Sequence, residues 1–119
     1  KIFKYWEGGF TGPNVNIEWV NEELRICRGD FRTDPLDESA VTIIVPSLKA
    51  WSKFQEDLER LDFWKWQKNY VDEHILDGTQ IEIDIKFTRR KKVFCSNEFP
   101  KEFLAFKDSL GSLLEVPNL

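Results

Sequence analysis

Methionine is missing from this chain of 119 residues, histidine occurs once and cysteine twice. Each scarcity removes a kind of chemistry. One histidine and two cysteines with no CxxC spacing are too few for a structural zinc site. The same two cysteines cannot build a disulfide framework in a chain this long. Cys27 and Cys95 are expected as buried reduced thiols, and a bridge is open to them only if their strands adjoin. No apolar run approaches the roughly 20 residues of a membrane span, and no secretory signal is visible. The expectation is a soluble, cytoplasmic protein with no membrane attachment. An excess of basic charge is also lacking: 17 Lys and Arg stand against 21 Asp and Glu, a net charge of −4. That balance argues against a general nucleic-acid binder.

What is abundant is aromatic. Ten Phe and five Trp supply much of the buried area of one domain, each large ring removing roughly 150–250 Å² from water. The clearest local signal follows Asp77-Gly78-Thr79. Ile81, Ile83, Ile85 and Phe87 alternate with Gln80, Glu82, Asp84 and Lys86, the period of a strand with one oily and one wet face.

Earlier in the chain, Ile2–Glu7 reads as a first strand, ended by Gly8-Gly9-Phe10-Thr11-Gly12-Pro13, a loop expected to need positive φ at one or more positions. Asn14–Val20 and Glu23–Arg28 form a hairpin across Asn21-Glu22, with Val15, Ile17, Trp19, Leu24 and Ile26 inward. Residues 29–39 read as a polar loop. Ala40–Val45 is β-branched enough for a strand buried on both faces. Ser47 is the natural N-cap of a helix whose apolar stripe is Leu48, Trp51, Phe54, Leu58 and Leu61.

After Asp62 the aromatic residues crowd too closely for one helical stripe. Two further strands, Gln80–Thr88 and Lys92–Ser96, are joined by Arg89-Arg90-Lys91-Lys92. This basic run is expected as a solvated turn that discourages edge pairing; its functional alternative is a phosphate-contacting tip. Pro100 suits the first position of a closing helix with Phe103, Phe106, Leu110, Leu113 and Leu114 inward. The order β-β-β-β-α-β-β-α predicts a single α+β domain over 1–119, a two-layer sandwich with a mostly antiparallel sheet and both helices on one face.

From Trp64 onward the residues resemble a pattern of small bacterial proteins with no assigned chemistry. Its parts here are Trp64, Trp66, Tyr70, Asp77-Gly78-Thr79-Gln80 and Ser96-Asn97-Glu98-Phe99-Pro100. The chain departs from it at Ile81, where the pattern has Trp, at Phe99, where it has Tyr, and at Cys95, where it has Gly. The Gly8-Gly9-Phe10-Thr11-Gly12 string after a first strand resembles emfourin, a small bacterial inhibitor of thermolysin-like metalloproteases. That resemblance implies a similar fold and, at the glycine loop, a protease contact.

Candidate chemistry is sparse. His74, within Asp72-Glu73-His74, reads as an exposed loop imidazole, and no serine or cysteine has a nucleophile setting. Asp77 reads as a turn residue, and Glu82 and Asp84 as ordinary acids of a wet strand face. Trp64, Trp66 and Tyr70 are candidate binding aromatics, or else they roof the core. Gln80 and Asn97 line a polar groove with Tyr70 or serve the backbone at the last helix. With Gly8, Gly9 and Phe10 these complete the candidate binding set. The expectation is a non-enzymatic module that binds another protein, with no cofactor, metal, nucleic acid or membrane; the alternative is an emfourin-like inhibitor.

Overall fold

A computed structural model describes residues 1–9, 14–29, 41–74 and 78–115. The strands are β1 (Ile2–Gly9), β2 (Asn14–Val20), β3 (Glu23–Gly29), β4 (Val41–Ile44), β5 (Asn69–Val71), β6 (Thr79–Lys86) and β7 (Arg90–Ser96). The helices are α1 (Leu48–Arg60) and α2 (Phe103–Leu114), with a 3₁₀ turn at Phe63–Lys65. One seven-stranded sheet runs in the order β4-β3-β2-β1-β6-β7-β5. Every pairing is antiparallel except β5 with β7.

Both helices lie on one face of this sheet, because β1, β2, β3, β6 and β7 present buried apolar alternates to that side. Phe3 and Tyr5 of β1, Ile17 of β2, Leu24 and Ile26 of β3, Ile81, Ile83 and Ile85 of β6, and Val93 and Cys95 of β7 are buried there. Against them pack Trp51, Phe54 and Leu58 of α1 and Phe103, Phe106, Leu110, Leu113 and Leu114 of α2. Phe106 is the hub: its ring lies 5.6–6.4 Å from those of Tyr5, Phe54, Phe63, Trp66 and Phe103. The two-layer α+β sandwich expected from the alternation is the fold.

Local chemistry explains the boundaries. Asn21 and Glu22 both take positive φ, 52° and 64°, the conformation a two-residue hairpin needs to match strand twist. Ser47 caps α1, its hydroxyl accepting from the Ala50 N–H at 3.0 Å. Asp57 ties the helices together: it accepts from Lys53 and Arg60 at 3.2 and 3.1 Å and from the Ser109 hydroxyl of α2. Burial alone would raise its pKa, but these three donors hold it below the ordinary 3.8.

Several expectations are corrected. β4 is an edge strand, not a doubly buried one, and Ile43 is 53% exposed. Leu48 is no part of the α1 stripe; it stands 86% exposed in the first turn, before the helix reaches the sheet. β1 runs through Gly8 and Gly9 rather than ending before them, and neither glycine has positive φ. Pro100 precedes α2, its carbonyl accepting from the Phe103 N–H at 3.1 Å. Cys27 and Cys95 are both free and lie in strands that do not adjoin; Cys27 is half-buried and only Cys95 is buried. Burial pushes the Cys95 thiol up to about 11. Gly29, expected to open the polar loop, ends β3 instead; the rest of that loop, Ala40, Phe10 to Pro13, Asp77 and the tail from Val116 fall outside the described residues.

Candidate functional site

The aromatic segment folds around the end of α1. Asp62 adopts a left-handed φ of 54°, which turns the chain back under the helix. Trp66 then donates its indole N–H to the Leu61 carbonyl at 3.1 Å, satisfying one of the orphan acceptors of a helix C-terminus. The same indole packs on Phe63 and Phe106 and is only 6% exposed. It presents no ring to a partner. Trp64 is half-buried, with the Arg89 guanidinium 4.7 Å from its centroid. Arg89 also pairs with Glu59 of α1; the rest of the basic run is not the expected turn, because Arg90, Lys91 and Lys92 belong to β7 and pair with Lys86, Ile85 and Asp84 of β6. Arg90 likewise grips Asp84 with two bonds of 3.1 and 2.9 Å. Tyr70 is half-buried, and its hydroxyl accepts from the Gln67 N–H at 3.0 Å.

A second group of candidates meets at one end of the sheet. Gly8 pairs with Gln80 and Gly9 with Thr79, while Gln80 pairs with Ser96. Asn97, at φ 61°, donates its backbone N–H to the Thr79 carbonyl at 3.0 Å. A Cβ on Gly9 would stand 2.8 Å from the Gly78 carbonyl oxygen. One on Gly78 would stand 1.8 Å from Asn97 Oδ1. Close approach, not torsional freedom, is what these glycines supply. His74 lies on the exposed segment after β5, its N–H donating to Asp72 Oδ1 at 3.0 Å.

The face of the sheet away from the helices carries a groove of about 730 Å³. Three cross-strand rows build it. Asn16, Trp6, Glu82, Phe94 and Asn69 stand side by side on β2, β1, β6, β7 and β5. Next to them run Glu18, Lys4, Asp84 and Lys92, alternating in sign. On the other flank lie Gly8 and Gln80. Trp6 leans over Gly8: a Cβ there would meet its Cζ2 at 2.7 Å. Lys68 closes the groove at β5, its carbonyl accepting from the Phe94 N–H at 2.8 Å.

Of the candidate binding set, Gln80 alone lines this groove; Gly8 pairs with Gln80, while Gly9 and Asn97 meet Thr79 at the sheet end. Trp6 and Phe94 were missed. The signal was present, since each stands one residue from the buried alternates of its strand, but an aromatic on a wet face reads locally as one more core residue. Among the described residues no three metal-ligating side chains converge, and no helix is long and apolar enough to cross a membrane.

Fold and groove together define a two-layer α+β scaffold whose second, aromatic-bearing sheet face is left uncovered by the described residues. Comparison with protein-family models, curated proteins and solved structures yielded no match for the chain.

Proposed function

We propose that this protein is a non-enzymatic interaction module that holds an acidic, aromatic-containing segment of a partner protein across its open sheet face. The observation that carries the reading is the charge and aromatic make-up of the groove. Lys4, Lys68 and Lys92 stand against Glu18, Glu82 and Asp84, and Asp84 is already met by Arg90. This leaves one ammonium group in excess beside Trp6 and Phe94 in a chain whose net charge is −4. Ammonium groups steer an acidic chain, and the half-buried rings of Trp6 and Phe94 give it flat surface to pack on. The glycine end and the aromatic segment, for which close packing already accounts, are supports of the scaffold in this reading.

The test is chemical-shift mapping with a short peptide of aspartate and glutamate around one tryptophan. Signals of Lys4, Trp6, Lys68, Lys92 and Phe94 are expected to move, and Lys92→Glu to weaken the effect. Equal movement with a basic peptide of the same length would reject the reading. The emfourin-like alternative rests on sequence likeness. Its test is inhibition of a thermolysin-like protease by micromolar protein, and absence of inhibition removes it.

A further inference from the structure

Away from the groove, on the helix side of the sheet, three rings enclose a cation. Lys1 Nζ lies 3.9 Å from the Trp51 ring centroid, 4.5 Å from that of Trp19 and 6.0 Å from that of Phe87. Trp51 meets Trp19 at 84° with centroids 5.4 Å apart, and meets Phe87 at 76° and 5.8 Å. Rings set at right angles are walls of a box, not a stack. Their electron-rich faces attract a cation that enters it. Among the described residues Lys1 forms no ion pair, so the rings are its electrostatic partners.

The occupant comes from outside the strands and helices, while two of the three rings are set within them. Lys1 precedes β1 and is exposed as a residue. Trp51 is anchored in α1 at 5% exposure, packed on Phe3 and Phe54. Trp19 comes from β2, paired on both sides, and Phe87 follows β6, its N–H donating to the Arg89 carbonyl at 3.0 Å. Moving Lys1 away therefore disturbs no strand or helix. Burial lowers the Lys1 pKa from its ordinary 10.5, in keeping with an ammonium that has given up part of its water.

We propose that Trp19, Trp51 and Phe87 form a recognition site for a methylated ammonium group, and that Lys1 is its built-in, displaceable occupant. Methylated ammonium is the class the site favours over Lys1, because it loses less hydration on entering a box of rings. The site stands apart from the groove and does not depend on the reading given to it.

The test titrates tetramethylammonium into the native protein and Lys1→Ala while following the indole N–H signals of the five tryptophans. In Lys1→Ala, Trp19 and Trp51 are expected to shift saturably at roughly tenfold lower probe concentration than in the native protein. Trp6, Trp64 and Trp66 stay in place and report that the fold is kept. Neopentyl alcohol, neutral and nearly the same shape, is expected to have no such effect. Repeating the titration with choline and with backbone-capped trimethyl-lysine distinguishes a small solute from a protein side chain as the source.

Absence of shifts in Lys1→Ala would overturn the proposal. So would equal concentrations for both proteins, or an equal response to the neutral probe. Unfolding of both Lys1→Ala and Lys1→Ser would also overturn it, since Lys1 would then be a structural pin.

Discussion

The two faces of one sheet divide the work of this molecule. On β6, Ile81, Ile83 and Ile85 are buried at 1, 2 and 0% exposure, while Gln80, Glu82 and Asp84 between them line the open groove. The strand, its hydrogen bonds and its twist are shared, so the difference lies in what covers each side. Rings from α1 and α2 bury the first set. Nothing among the described residues covers the second, which is largely polar and carries Trp6 and Phe94 as its aromatic side chains.

That comparison breaks most easily at Phe106. Truncation to alanine removes the ring on which five others converge and is expected to cost about 3–5 kcal/mol, read from urea denaturation. A loss no larger than that of a surface substitution would mean that the helix layer does not hold the sheet. Gly9→Ala comes next. Its new methyl would press on the Gly78 carbonyl, a backbone atom that cannot swing aside, and an expected cost of about 1–3 kcal/mol would show the sheet end to be as tightly built as the covered face.

Asp57 sharpens the comparison through pH. Its folded pKa lies below 3.8 because Ser109, Lys53 and Arg60 outweigh its burial. The resulting stabilisation is fully present above the unfolded value and is lost as pH falls from 3.8 through the folded pKa. Asp57→Asn is expected to be less stable than the native protein at pH 7, with the gap closing in acid denaturation curves below that range. A gap independent of pH would show that the carboxylate charge is not what joins the helices. The smallest effect belongs to the open face: Lys4→Glu is expected to change stability by no more than about 0.5 kcal/mol, measured by thermal melting.

Much of this architecture was legible in the sequence because period-2 alternation and a 3.6-residue stripe report directly which side is covered. Ser47 as a cap and Asn21-Glu22 as a turn were legible for the same reason, each being local chemistry. What escaped depended on neighbours distant in sequence. β5 has three residues and exists only by pairing in parallel with β7. Trp66 is core because the end of α1 offers its indole an acceptor, which no spacing reveals. Gly9 and Gly78 look like turn residues until their strands are seen to bring a carbonyl and Asn97 against them. Leu48 and Ile43 share the apolar pattern of their neighbours but are left exposed by the described residues. Trp6 and Phe94 escaped as binding candidates because the cross-strand register alone sets them on either side of Glu82.

An alanine scan along β6 from Ile81 to Ile85, read as unfolding free energy in urea, tests this division most directly. The account predicts a sawtooth: about 2–5 kcal/mol lost at each isoleucine and no more than about 1 kcal/mol at Glu82 and Asp84. A flat profile, or acids that cost as much as the isoleucines between them, would contradict it.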